Sequence, residues 1–267
     1  MKLADRDLAL LGLWRDSFPA FCAGAVKTYD PPRTLPLVLF PRQRELAAWL
    51  DERAATRTEG VLEKCRQIGA TWVTCAWAIW RWLYQPGFKL TFGSRKAMFV
   101  DTAGNMDSIF ERLRFIVRKL PPPVLPRGFD DAKHLLHMRI LNPATGASIT
   151  GEGGDEMGRG GRSSVYVVDE AAFLEHPDQV EAAISQNADC RIYVSTPNGM
   201  GNAFARKRFS GAVPVFTFRW QDDPRKTQAW YEAKRASTDP IILAREVDLD
   251  YSHSVEGTLV PGEWVRA

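Results

Sequence analysis

Two acids, Asp169 and Glu170, directly follow the apolar run Val165-Tyr166-Val167-Val168. An unbroken run of β-branched and aromatic residues reads as a strand buried on both faces. Carboxylates at the C-terminal end of a buried parallel strand stand where open α/β sheets bind ligands. The first, at the strand tip, suits holding Mg²⁺ directly or through water. The second points elsewhere and suits polarising a water molecule. This is the Walker B arrangement of a nucleotide hydrolase. A strand ending in two acids is also an ordinary solvated turn, so the pair needs support from the rest of the chain.

Two further strand ends supply it. Val61 to Lys64 reads as a short strand, followed by the turn Cys65-Arg66-Gln67-Ile68-Gly69-Ala70-Thr71. Trp72 to Tyr84 is apolar nearly all round, with Val73, Ala76, Trp77, Ile79, Trp80 and Leu83, as in a buried helix. Strand, glycine-containing turn and buried helix form the context of a phosphate-binding loop. The usual GxxxxGK[ST] is absent, because Ala70 and not lysine precedes Thr71. The third end is that of Arg191 to Ser195, which runs into Thr196-Pro197-Asn198-Gly199; these are also plain turn residues. Residues 151–161 hold six glycines together with Asp155, Glu156 and Arg159, the composition of a mobile or tightly turning loop.

The elements that position these ends alternate between strand and helix. Residues 5–27 are amphipathic, with Leu8, Leu11, Trp14, Phe18 and Phe21 at helical spacing, and Asp30-Pro31-Pro32 breaks the pattern. Phe40-Pro41-Arg42-Gln43 opens a helix to Arg53, with proline in the first turn. Lys89 to Phe92 predicts a strand, and a long helix runs on to Lys119, ended by three prolines. Leu135–Leu141 and Ala147–Thr150 flank a turn and predict a hairpin. His134 and His137, three apart in that predicted strand, face opposite sides and read as structural. His176-Pro177 begins a helix to Asn187; Val213–Phe218 predicts a strand; Gln228–Ala236 and Ile241–Val247 predict helices. The expected fold is α/β, with a mainly parallel central sheet flanked by helices and a small subdomain.

The 267 residues suit one large domain, 45% hydrophobic and 25% charged, with a net charge of +3 that permits an acidic partner without indicating one. No run of 18 apolar residues is present, which argues against a membrane partner. Four scattered cysteines, Cys22, Cys65, Cys75 and Cys190, lack CxxC spacing and read as reduced intracellular thiols. Basic residues gather at Arg206-Lys207-Arg208, Arg219, Arg225-Lys226 and Lys234-Arg235, which suits a DNA backbone or a solvated face.

Taken in order, these motifs resemble the ATPase domain of the large terminase subunit, the DNA-packaging motor of tailed phages, over roughly residues 40–260. Lys-Cys-Arg-Gln-Ile-Gly-Ala-Thr is similar to the family's deviant Walker A, in which the lysine opens the loop. Val-Tyr-Val-Val-Asp-Glu-Ala-Ala-Phe resembles its Walker B, and Ser-Thr-Pro-Asn-Gly its coupling motif. Arg159-Gly160, ten residues ahead of Asp169, matches an Arg-Gly pair at that offset, and Phe40-Pro41-Arg42-Gln43 the adenine-contacting segment.

The resemblance implies an ASCE-type P-loop ATPase using ATP and Mg²⁺. Lys64, Cys65, Arg66, Gln67, Ile68, Gly69, Ala70 and Thr71 would bind nucleotide, with Gln43 at the adenine edge or merely on the surface. Thr71 and Asp169 would hold Mg²⁺, and Glu170 would activate the attacking water. Arg66 in the same subunit and Arg159, from the same or a neighbouring subunit, are the candidates for stabilising the transferring phosphoryl group. The blander alternative is that Arg159 and Arg162 only solvate the glycine loop. Ser195, Thr196 and Pro197 would couple γ-phosphate to movement.

The implied partners are double-stranded DNA, a portal protein, a small terminase subunit and further copies of the chain, in a homo-oligomeric ring (a pentamer) when active or as monomers in solution. The implied location is the host cytoplasm. The expected organisation is an ATPase domain over 1–250, its core at 36–212 and its small subdomain from 1–35 and 213–250. Residues 251–267 would be a linker toward an absent nuclease, whose activity is not expected here. The alternatives are a degenerate P-loop scaffold that binds nucleotide or DNA without hydrolysis, and a helicase-like NTPase.

Overall fold

The computed structural model describes residues 5–254. Its strands are β1 (Lys27–Asp30), β2 (Arg33–Pro36), β3 (Gly60–Lys64), β4 (Lys89–Ser94), β5 (Leu135–Leu136), β6 (Arg139–Leu141), β7 (Ser148–Gly153), β8 (Ser163–Asp169), β9 (Ala188–Ser195) and β10 (Val215–Phe218). Its helices are α1 (Asp5–Asp16), α2 (Phe18–Ala25), α3 (Pro41–Thr56), α4 (Ala70–Tyr84), α5 (Ala97–Val100), α6 (Ile109–Lys119), α7 (Asp131–His134), α8 (Pro177–Asn187), α9 (Ala203–Phe209), α10 (Gln228–Ser237) and α11 (Pro240–Leu243), the last running into a π-helical turn over Ala244–Asp248. Among the described residues, eight strands form one sheet in the order β10-β3-β9-β8-β4-β7-β6-β5. It is parallel from β10 to β7, while β6 and β5 add an antiparallel border. The expected α/β architecture is thus the observed one.

Alternation along the strands gives the sheet two apolar faces. Leu62, Val165, Val167, Ile192 and Val194 pack into the core shared with α4 and α6. Val61, Tyr166, Val168 and Tyr193 face a second core that includes Val180 and Ile184 of α8 and Phe204 of α9. Helix α4 is buried almost all round, its Trp77 and Trp82 fully enclosed, as a helix without a polar stripe must be.

Several boundaries differ from the sequence expectation. The N-terminal helix is broken at Ser17, whose Oγ accepts the Ala20 N–H (3.3 Å) and caps α2, with Pro19 in the first turn. Leu8 is 54% exposed, outside the expected buried stripe, whereas Trp14 is buried. The long helix to Lys119 is interrupted between α5 and α6, where Ser108 Oγ donates to the Thr102 and Asn105 carbonyls. Leu135–Leu141 is two strands, because Met138 turns the chain with φ 49°. His134 ends α7, stacked on Phe129, rather than lying in a strand, and His137 sits beside Asp101 (3.2 Å). Residues 215–218, assigned above to the small subdomain, form an edge strand of the main sheet beside β3, since Phe216 and Phe218 bury their rings there. The four cysteines are buried and free. Among the described residues no helix is long and apolar enough to cross a membrane. Most of the segment expected to be a linker lies outside the described residues; within them, Tyr251 and Ser254 are buried.

Candidate active site

The parallel strands end along one edge of the sheet. In register, Lys64 lies opposite Phe218, Ser195 opposite Glu63, Val194 opposite Asp169, and Ser94 opposite both Asp169 and Gly153. Strand β9 stands between β3, which feeds the turn of residues 65–69, and β8, which carries the two acids.

The turn of residues 65–69 is packed against the start of α3. Gln67 and Gly69 both have positive φ, 55° and 79°. A Cβ at Gly69 would come within 2.8 Å of Gln43 Nε2. Gln43 itself is buried, and its amide donates to the Ile68 carbonyl (3.2 Å). The structure therefore sets Gln43 against the turn's backbone. Gly69 is the N-cap of α4 and offers no side chain to the first N–H groups of a fifteen-residue helix, which leaves them available to an anion.

The C-terminal segment closes the other side. The Arg66 N–H donates to the Glu246 carbonyl (2.7 Å), Lys226 Nζ to the Arg66 carbonyl (2.9 Å), and the Cys65 N–H to the Phe218 carbonyl (2.9 Å). The Arg66 side chain is largely exposed and rests 3.5 Å from Glu246 Oε2. Burial pushes the Cys65 thiol up to about 11, so it is no nucleophile near neutrality. Phe40, ahead of Gln43, packs edge-on against Phe218, and the Arg225 guanidinium lies over its ring. A cleft of about 400 Å³ lined by Pro41, Arg42, Glu45, Gln221, Asp222 and Pro224 adjoins this corner.

Lys64 and Asp169 have the strand parity of Leu62 and Val167, so both belong to the α4 face. Burial raises the Asp169 carboxyl above its usual range, and the Lys64 ammonium opposes that rise; Arg112 of α6 opposes it further. A half-buried carboxylate attended by cations gains from a metal ion. Thr71 and Asp169 offer oxygen donors only, the chemistry that suits Mg²⁺, so the residues present fit that ion. No group of three or more His, Cys, Asp or Glu able to hold a metal occurs among the described residues, which leaves phosphate and water to complete such a shell.

Glu170 has φ 55° and its Oε2 accepts from Arg95 Nε at 2.6 Å. The Arg95 guanidinium lies over the rings of Phe99 and Phe173. Neither Arg95 nor Arg112 carries a motif signal. Ser195 Oγ accepts the Ala172 N–H (3.2 Å), and Asn198 Nδ2 donates to the Ala172 carbonyl (3.1 Å). The end of β9, with buried Thr196 and with Pro197, is thereby tied to the turn after Glu170.

Arg159 is apart from this cluster: its side chain is largely exposed and its ion pair is with Glu156 (3.4 Å). Most of the basic residues between 201 and 235 already have partners. Arg206 pairs with Asp178, Lys207 with Glu59 and Glu181, Arg208 with Glu63, Arg225 with Asp223, and Arg235 with Glu232.

The fold has known counterparts. A mutant large terminase ATPase domain from Thermus phage P74-26 superposes with a TM-score of 0.59 at 16% identity, covering 94% of this chain and 100% of that one. The HK97 bacteriophage large terminase gives 0.59 at 12% identity, covering 88% of this chain and 54% of its own. The large terminase of a thermophilic bacteriophage, in complex with ADP, gives 0.57 at 10% identity, covering 79% and 53%. The chain thus spans about half the length of the longer terminases it matches. No curated protein matches it. The family model for the N-terminal part of the T4-like-virus type of terminase large subunit matches residues 61–265, and the chain belongs to that family.

Proposed function

We propose that this chain is the ATP-hydrolysing motor domain of a terminase large subunit, driving double-stranded DNA into a procapsid. The observation that carries the reading is the strand order, which sets the turn of residues 65–69, Ser195-Thr196 and Asp169-Glu170 on the adjacent ends of β3, β9 and β8. Membership of the family and the ADP complex of the thermophilic phage's terminase support it.

In this reading the open N-terminus of α4 binds the phosphates of ATP through its N–H groups. Lys64 reaches them as a point charge from the start of the loop. Thr71 and Asp169 would hold Mg²⁺, which would supply neutralisation of the charge developing on the phosphates. Glu170, once released by Arg95, orients the attacking water. Arg66 or Arg159 stabilises the transferring phosphoryl group. Ser195 and Asn198, through their bonds to Ala172, carry the change at Glu170 into the segment after β9, with Thr196 and Pro197 between them. Arg159 faces solvent, so the reading includes a ring in which it completes a neighbour's site; a pentamer acting on a portal protein, fed by a small terminase subunit in the host cytoplasm, is the corresponding assembly.

Steady-state ATP hydrolysis with Mg²⁺ tests this. Turnover abolished by Glu170→Gln with nucleotide still bound supports it; wild-type turnover in that variant overturns it. A scaffold that binds nucleotide without hydrolysis is the alternative outcome of the same assay. It predicts nucleotide binding with no turnover in the unaltered chain.

A further inference from the structure

Glu152, near the end of β7, has no part in the motifs above, yet it is the anchor of the loop that bears Arg159. Its Oε2 accepts the Gly158 N–H at 2.6 Å and its Oε1 accepts the Gly160 N–H at 3.0 Å. The two bonds bracket residue 159 and leave its own side chain outside. Asn187, at the end of α8, donates its amide to the Gly158 carbonyl. The loop is thus tied through its backbone on both sides of one exposed arginine.

The anchor is itself held across the sheet. Tyr166 on β8 donates its hydroxyl to Glu152 Oε2 at 2.7 Å. Strand β4 lies between β8 and β7, so the two backbones are roughly 10 Å apart. Gly93 of β4 is opposite Glu152 in the ladder. A Cβ at Gly93 would lie 2.9 Å from the Tyr166 hydroxyl oxygen and 2.7 Å from Met157 Sδ. A bare position on the middle strand is what lets the phenol pass over it. A Cβ at Gly160 would likewise run into the Glu152 carboxylate, and one at Gly158 into α8 at Ala183. Gly158 also has φ 83°, open to glycine and strained for other residues. Gly93 and Gly160 each permit one contact of the same chain, from Tyr166 over Gly93 to Glu152 and from Glu152 to the Gly160 N–H, while Gly158 lets the loop close against α8.

Strand β8 carries both Tyr166 and Asp169, three residues apart. The strand that places the acids therefore also fixes the arginine loop. We infer that Glu152 is a positioning residue for Arg159, held by Tyr166 across Gly93, so that the arginine is presented on a loop referenced to the acid-bearing strand. This rests on the reading of Arg159 as the group that stabilises the transferring phosphoryl.

The test uses Glu152→Gln, which keeps the shape and removes one acceptor oxygen, and Tyr166→Phe, which removes one hydroxyl and serves if the first variant folds poorly. Hydrogen exchange over residues 154–162 should rise in both, while a fluorescent ATP analogue binds as tightly as to the unaltered chain. Turnover should fall about 10-fold to 100-fold, the scale of a misplaced catalytic group. Adding Glu152→Gln to Arg159→Ala should cause no further loss, because the two act through one group. Unchanged exchange over 154–162 overturns the anchor. Released exchange with undiminished turnover, in a protein whose Arg159→Ala variant is slow, overturns the positioning role and leaves the reading of Arg159 intact. Additive losses in the double variant overturn it as well. Full turnover in Arg159→Ala instead sinks the reading of Arg159, whatever the exchange data show.

Discussion

Arg95 Nε lies 2.6 Å from Glu170 Oε2, and the two residues follow Ser94 and Asp169, which face each other in the β4–β8 ladder. The carboxylate assigned to water is therefore engaged by the next strand's first loop residue. An ion pair of this exposure, 37% and 39%, is worth under about 1 kcal/mol. Arg95→Ala should accordingly raise basal ATP turnover by no more than about 5-fold, measured as phosphate release without DNA. Glu170→Gln should lower it by about 10²-fold to 10⁴-fold. A fall in Arg95→Ala would show that the arginine orients the carboxylate instead of restraining it.

Lys64 opposes the rise of the Asp169 carboxyl and stands at the start of the turn of residues 65–69, whereas Lys89 begins β4 at the opposite end of the sheet. Lys64→Ala should weaken ATP binding or turnover by about 10-fold or more, the scale of a charge-assisted contact. Lys89→Ala should change neither. Calorimetric titration with ATP and Mg²⁺ distinguishes them, and equal effects would remove Lys64 from the site.

Arg159 is exposed and, among the described residues, paired with Glu156. Turnover per subunit should rise with protein concentration, and Arg159→Ala should lose that rise, with an effect of up to about 10³-fold. Mixing Arg159→Ala with Glu170→Gln should restore part of the turnover if the arginine acts on a neighbour, since each variant supplies what the other lacks. No recovery in a demonstrably mixed oligomer would place Arg159 in its own subunit's site or in a structural role.

Asp101 and Arg114 form a buried two-pronged pair at 2.5 Å and 3.0 Å, and Asp101 also accepts the Met138 N–H at 2.6 Å. Burial alone would raise the carboxyl, but these hydrogen bonds hold it below its usual range. Its contribution to stability is therefore complete above the unfolded value of roughly 3.9 and is lost as pH falls through the lowered folded value. Asp101→Asn should cost about 3 kcal/mol or more in urea unfolding at neutral pH, because the Arg114 charge is left buried without its counter-ion. It should also remove this part of the acid dependence. A loss under about 1 kcal/mol would show that Glu111, 2.9 Å from Arg114, suffices as partner.

The strand ends are legible in the sequence because each couples a local run to a local change of residue type, as where Val168 gives way to Asp169. Their edge-on alignment follows from parallel pairing. The partners of these residues are not legible. Arg95 reaches Glu170 across 75 positions and Tyr166 reaches Glu152 over a glycine of a third strand; no local periodicity encodes such meetings. Asn105 and Ser108 interrupt the long helix because their side chains bond nearby backbone, a competition that apolar spacing does not register. Strand β10 is legible as a strand, but its place in the main sheet is not, since four residues with two phenylalanines carry too short an alternation to assign to one sheet.

The tie between Arg66 and residues 226 and 246 bears on the order in which the protein matures during synthesis. A nascent chain that has released β3, α4 and β8 already owns its acids and its helix N-terminus. It still lacks the Lys226 and Glu246 contacts that brace the turn of residues 65–69. Translation proceeds at about 5–20 residues per second, so the interval between the emergence of Glu170 and of Glu246 is on the order of 4–15 s. The residues that brace the turn of 65–69 thus leave the ribosome well after the strand ends themselves, and a chain stopped short of Glu246 would carry those strand ends beside an unbraced turn.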